Sequence, residues 1–249
     1  MFWRGFPFIS VSSVVEPRLG YAGAVNASAR QHWTRTRMLM RIIVSERSPD
    51  AGGIERAAAV IRAGGLVAFP TDTLYGLAAD PFNAHAVARV FAAKGRGADQ
   101  ALPLIASDQA QVARQLGQVP PIGAALAERF WPGPLTLLIA APPTLAVPIT
   151  GGTRHIGVRV PAHDVARALC RASGCVLTAT SANLSGRPAT DDPDAVAASL
   201  AEYVDVLVDA GRSPGGQPST IVDVTGSELR LVRAGAIPWE QIKASLGRS

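Results

Sequence analysis

Ile54-Glu55-Arg56-Ala57-Ala58-Ala59-Val60-Ile61-Arg62-Ala63-Gly64-Gly65-Leu66-Val67-Ala68-Phe69-Pro70 is the stretch on which the fold turns. Ile54, Ala57, Ala58 and Ile61 recur at the spacing of one helix face, and Gly64-Gly65 stops the helix they predict over 54–63. Leu66 to Phe69 then runs apolar up to Pro70, as a short buried strand does. The same helix and strand signals recur on both sides. Arg41 to Val44 reads as a strand before this stretch. After it, Asn83 caps a helix through Ala93 with Val87, Val90 and Phe91 on one face, and Asp108 caps another through Leu116, ended by Gly117. Leu135 to Ala141 and Ile156 to Val160 read as strands, Asp164 to Ala172 as a helix closed by Gly174, and Val176 to Thr180 as a buried strand. Asp192-Pro193 opens a helix to about Tyr203. Three strands follow, Val204 to Val208, Thr220 to Val224 and Leu229 to Val232, before a last short helix from Pro238. Early alternation and late clustering of strands predict an α/β (α+β) fold, with a twisted mixed parallel and antiparallel sheet flanked by helices.

The chain has 249 residues, 48% of them hydrophobic and 17% charged, with a mean hydropathy of +0.20. That composition excludes disorder over most of the length and provides for a core. No charge-free run gives the roughly 20 apolar residues a membrane helix needs, so a soluble chain with no membrane partner is expected. Cys170 and Cys175 lie five apart with no second Cys or His pair nearby. Two cysteines are too few for a disulfide scaffold or a zinc knuckle, which points to reduced thiols in a cytoplasmic protein.

A net charge of +5 and a pI near 9.9 invite a nucleic-acid reading until the charge is located. Residues 1–41 hold six arginines against one acid, Glu16, and so carry the whole +5. Taking those six from the 24 basic residues, and Glu16 from the 19 acids, leaves 18 of each in the remainder. The body is neutral, so the pI argues little for an RNA partner. Residues 1–40 are aperiodic and acid-poor, with Met38 and Met40 at their end. They read as an N-terminal extension, disordered or a start-site artefact, with a targeting segment or a functional tail as the alternatives. The body is expected as one domain over 41–249.

Polar residues gather at the ends of the apolar strands, where α/β proteins place ligands. In Pro70-Thr71-Asp72-Thr73-Leu74-Tyr75-Gly76-Leu77, two hydroxyls and a phenol alternate to one side with Asp72 on the other; a hydroxyl-capped turn explains the same residues. Lys94-Gly95-Arg96 carries one of only two lysines in a chain that uses arginine 22 times. A compact ammonium is wanted there, or a last-turn cation favours the helix dipole. Thr178-Ala179-Thr180-Ser181-Ala182-Asn183-Leu184-Ser185-Gly186 offers hydroxyls and backbone donors to an anion, without the spacing of a phosphate-binding P-loop. Gly215 to Thr220 enters a strand and Arg233-Ala234-Gly235 leaves one. G-x-S-x-G, HExxH and GxGxxG after a strand are all absent, and His32, His85, His155 and His163 suggest no metal set. Serine hydrolase, zincin and Rossmann dehydrogenase fit poorly.

Taken in order, Pro70 to Leu77, Lys94-Gly95-Arg96, Trp131-Pro132-Gly133-Pro134-Leu135-Thr136, Val158-Arg159-Val160-Pro161, Thr180-Ser181-Ala182-Asn183 and Pro218-Ser219-Thr220-Ile221 closely resemble the motif series of the threonylcarbamoyl-adenylate synthase family, the YrdC-like domain. The resemblance spans about Ile42 to Ile242, in the short, single-domain form. Family members often carry Glu at the position of Asp72, and Pro at those of Gly97 and Thr180. The resemblance implies a YrdC-like fold with a concave central cleft. It also implies a nucleotidyltransferase that joins L-threonine, bicarbonate and ATP into threonylcarbamoyl-AMP and pyrophosphate, for transfer to tRNA by a downstream complex. Carried over by position, Lys94 and Arg96 are the catalytic cations and, with Ser181, Asn183 and Arg233, bind ATP. Thr71, Tyr75, Arg159 and Ser219 bind threonine. Magnesium is expected with the ATP, without protein ligands of its own. The competing expectations are a double-stranded RNA or tRNA-binding module without catalysis, and carbamoyl transfer from carbamoyl phosphate as in related domains of hydrogenase maturation proteins.

Overall fold

The computed structural model describes residues 39–247 apart from 96, 98 and 99. By internal contacts the chain divides into 1–36 and 37–249, and the description below concerns the second unit. The expected extension over 1–40 lies outside the described residues up to 38. Leu39 packs against the core, and the first strand starts at Met40.

In chain order the elements are β1 (Met40–Ile43), α1 (Ala51–Arg62), β2 (Val67–Phe69), β3 (Gly76–Ala78), α2 (Ala84–Lys94), β4 (Leu104–Ile105), α3 (Gln109–Leu116), α4 (Pro121–Phe130), β5 (Leu135–Ala140), β6 (His155–Arg159), α5 (Asp164–Ser173), β7 (Leu177–Thr178), β8 (Thr180–Ser181), α6 (Pro193–Leu200), β9 (Val206–Asp209), β10 (Thr220–Asp223), β11 (Arg230–Arg233) and α7 (Trp239–Leu246). A 3-10 turn covers Val147–Thr150. The strands form two mixed sheets, ordered β1-β9-β2-β3-β8 and β11-β10-β5-β6-β4-β7. Mixed sheets flanked by helices are what the sequence predicts, with two sheets in place of one.

The predicted strand 176–180 is where the sheets meet. It is two dipeptide strands, one in each sheet, parted at Ala179. Buried Thr178 joins the layers: its amide donates to Ala79 O, its hydroxyl donates to Leu77 O, and the Ala79 amide donates to its Oγ1. A break in one run of apolar and hydroxyl residues gives no sequence signal, because Leu177, Thr178 and Thr180 on both sides of it are buried.

Local signals set the helices. Asn83 and Asp108 accept amide hydrogens at the starts of α2 and α3, and Gly95 and Gly174 close α2 and α5 in the left-handed conformation. The alternation along β2 and β9 feeds two clusters. Val67, Phe69, Val206 and Val208 pack against α1 and α5, while Ala68 and Leu207 join the larger core with α2, α4, β5 and β6. α4 was not foreseen. Pro120-Pro121 and Gly123 look like breakers, yet Pro121 opens the helix and Gly123 admits the Val119 and Val224 side chains against its backbone. β3 and β4 are too short for a period to be read.

Candidate active site

The register of the second sheet lines up one transverse row of side chains. Arg233 stands opposite Ile221, Ile221 beside Thr136, and Arg159 beside Ile105. Leu137 pairs with Val158 in the antiparallel β5–β6 ladder, which brings Thr136 next to Arg159. Cross-strand neighbours project from the same face. All five line one cleft of about 390 Å³, whose opposite wall is the 71–76 connection and the 179–181 crossing between the sheets.

Arg159 is the most constrained cation of this row. It is 8% exposed, and its Nη1 lies 3.2 Å from Asp72 Oδ1 without a hydrogen-bond alignment. Burial lowers its pKa, opposed by the charge of Asp72. Asp72 Oδ2 accepts the Ala162 amide, which ties the carboxylate to the chain just after β6. Thr71, Thr73 and Tyr75 line the cleft as predicted and Asp72 does not, but Leu74 and Gly76 line it too, so the alternation stops at Thr73. The hydroxyl-capped turn is there as well, since Thr71 donates to Leu74 O and accepts the Thr73 amide. Tyr75 is fully buried and lines the cleft; its hydroxyl donates to Gly211 O at 2.7 Å.

Arg233 holds the other end. Its guanidinium donates to Ser219 O at 2.7 and 3.2 Å and to Ser219 Oγ at 3.1 Å. Those partners are neutral; Arg233 is exposed, and partial desolvation, followed by the charge of Arg159, lowers its pKa. Two guanidiniums that disfavour each other across a cleft create a site for an anion. Gly235 makes this end possible. A Cβ there would lie 2.3 Å from Pro218 O, so the chain leaving β11 passes the 218–220 backbone closer than any side chain allows.

Lys94 is placed differently from an exposed helix-end charge. It is 3% exposed and does not line the cleft. Its Nζ donates at 2.7 Å to both Ser181 O and Asn183 Oδ1, and more weakly to Ser181 Oγ. Asn183 completes this knot by donating to Leu184 O and Arg187 O. Of the three, Ser181 reaches the cleft wall. Arg96 lies outside the described residues.

The structure therefore brings Thr71, Tyr75, Arg159, Ser181, Ser219 and Arg233 to one cleft, with Lys94 and Asn183 behind Ser181. Sequence reasoning gave no role to Thr136 or Ile221. Thr136 had a signal, being the one hydroxyl inside the apolar run of β5.

A family profile described as telomere recombination, Sua5/YciO/YrdC, matches residues 59–235. The chain belongs to this family. A threonylcarbamoyl-AMP synthase of Pyrococcus abyssi is 38% identical over 209 residues, covering 84% of this chain and 62% of the relative. One from Halorhodospira halophila is 42% identical over 182 residues, covering 71% of this chain and 93% of the relative. The crystal structure of P. abyssi Sua5 complexed with L-threonine superimposes with a TM-score of 0.79 at 38% identity, covering 84% of this chain and 61% of that one. The chain thus spans less than two thirds of the length of the Pyrococcus proteins. Among the described residues no helix is long and apolar enough to cross a membrane.

Proposed function

We propose that this chain is an L-threonylcarbamoyladenylate synthase, an enzyme that makes threonylcarbamoyl-AMP and pyrophosphate from L-threonine, bicarbonate and ATP. The observation that carries the reading is the pair of guanidiniums at the two ends of one cleft, Arg159 buried and Arg233 on neutral partners. The relatives' names and the threonine complex of P. abyssi Sua5 support it.

The reaction joins two anions. The threonine amine takes up the carbon of bicarbonate to give a carbamate and water. A carbamate oxygen then bonds to the α-phosphorus, and the bond from that phosphorus to the β-bridging oxygen breaks, its electron pair leaving with pyrophosphate. Neither anion approaches the other without compensating positive charge. Arg159 suits the threonine carboxylate, because a guanidinium fork meets a carboxylate through two charge-assisted bonds. Arg233 suits the phosphates; Ser219, expected among the threonine-binding residues, accepts from Arg233 and stands at the boundary of the two ends, and Ser181 with the backbone of its crossing suits the adenylate. Lys94 acts here through Ser181 and Asn183, holding the turn in place, and Thr71 and Tyr75 shape the threonine end. Magnesium bound to the triphosphate would neutralise part of its charge, and the chain's own hydroxyl and guanidinium donors would hold the remaining phosphate oxygens. With no covalent nucleophile in the scheme, rate comes from orientation and electrostatics. A downstream tRNA transferase complex is the proposed consumer of the product.

The test is pyrophosphate release from Mg-ATP by the full chain. Release that requires both L-threonine and bicarbonate is expected. Release independent of threonine, or binding of double-stranded RNA with no release at all, would replace this reading with another.

A further inference from the structure

Thr136 is the one hydroxyl of the sheet row, and it stands between the row's two cations. Neighbouring strands are about 4.8 Å apart, so three strand steps separate the backbones of Arg233 and Arg159 by roughly 14 Å. Their long side chains narrow that gap from both ends, enough for the charge of one to be felt at the other. A ligand anchored at both cations has to pass over Thr136.

Thr136 Oγ1 and Ser219 Oγ share one bond of 2.7 Å, and Ser219 Oγ also accepts from Arg233 Nη2. A guanidinium only donates. The two hydroxyls own two protons and use one between them, so one proton is left for the cleft that both residues line. Arg233 draws electron density from Ser219 Oγ, which makes Ser219 the stronger donor and Thr136 the acceptor, and such chains strengthen in that sense. Thr136 Oγ1 has no other hydrogen bond among the described residues. With Ser219 as the donor, the Thr136 proton is the one left for the cleft.

The geometry points to the Thr136 hydroxyl as the donor that orients the carbamoyl group, between an amino-acid carboxylate at Arg159 and phosphates at Arg233. This assignment rests on the synthase reading above and adds a residue to it. The carbamate has two equivalent oxygens. One becomes the carbonyl oxygen and the other bonds to phosphorus. A hydroxyl that holds the first turns the second toward the α-phosphorus, and removes the need to sort the two orientations at the moment of attack. No atom of Thr136 is transferred. As the hydroxyl serves a group that exists only once threonine and bicarbonate have combined, it contributes little to binding either threonine or ATP alone.

Thr136→Val and Thr136→Ser separate this from a structural role. L-threonine and Mg-ATP are titrated separately by calorimetry, and turnover is followed as pyrophosphate release. Thr136→Val should keep both affinities within about twofold and lose about tenfold to a hundredfold in kcat, while Thr136→Ser recovers most of it. If valine lowers the thermal midpoint, Thr136→Cys, with its weak S–H donor, is measured instead and should fall between the two in kcat. Wild-type kcat in Thr136→Val, or a loss of threonine affinity equal to the loss of kcat, overturns the assignment. So does a serine variant as slow as the valine one. A wild-type chain with no threonine-dependent release overturns the synthase reading itself, before any substitution enters.

Discussion

Lys94 and Arg159 are both buried cations within reach of one cleft, and the fold treats them in opposite ways. Lys94 has its ammonium against three acceptors of the Ser181–Asn183 turn, so the cost of taking it out of water is offset inside the protein. Arg159 faces a carboxylate at 3.2 Å, yet its Nη1 is buried without a hydrogen bond. Removing water from Arg159 is thus only partly offset, and the remainder is available to an arriving anion. A buried charge with its bonds made is a structural part; one with bonds left over is a binding part.

This contrast breaks first at Lys94. Lys94→Met should destabilise the chain by about 2 to 4 kcal/mol, because Ser181 O and Asn183 Oδ1 lose a donor in a buried place. Thermal unfolding reads this as a fall of about 5 to 15 °C in a domain of this size. A midpoint within a degree of wild type would mean that the ammonium is no structural part, and would return it to the cleft.

The Arg159 side breaks in binding. Arg159→Lys keeps the charge but gives up the planar fork, and one charge-assisted bond is worth about 1.5 to 3 kcal/mol. The apparent KM for threonine should rise about tenfold to a hundredfold, with that for ATP changing less than threefold. Equal rises in steady-state kinetics would show that Arg159 does not serve the amino-acid end.

The smallest effect lies beside that end. His163 is buried, its Nδ1 has no partner among the described residues, and its Nε2 is 3.9 Å from Glu46. Burial lowers its pKa, opposed by Glu46, Asp72 and Asp164 and reinforced by Arg167. With the folded pKa below the ordinary 6.5, the unfolded chain binds more protons at mildly acid pH. Stability is therefore complete above about pH 6.5 and declines as pH falls below it toward the folded pKa. His163→Asn should flatten the thermal midpoint between pH 7 and 5. An unchanged slope assigns the acid sensitivity elsewhere.

The residues that announced themselves did so for local reasons. Asn83, Asp108, Gly95 and Gly174 fix helix ends through bonds to their immediate neighbours, so spacing alone exposed them. Thr71, Ser181, Arg159 and Ser219 stood in an ordered motif series, and the cleft gathers them. The helix at Pro121–Phe130 went unread, because it carries no side-chain cap and packs its Gly123 against Val119 and Val224, contacts that spacing alone does not show. Thr136 was quoted in a motif and given no role, since nothing next to it in sequence shows which side chains stand beside it.

Period, caps and motif order are properties of neighbouring residues, and with them the sequence by itself determined the helix and strand alternation, the α/β class and most of the candidate site. Register is not such a property. That Arg233, Ile221, Thr136 and Arg159 form one row depends on which strands pair and on their alignment, and a one-residue slip would turn Thr136 to the opposite face. Whether Lys94 or Arg159 keeps unused donors depends on acceptors 87 and 89 residues away for the first, and on Asp72 across the sheets for the second. Only the tertiary structure decides those distances, because burial and pairing arise when distant segments are brought together.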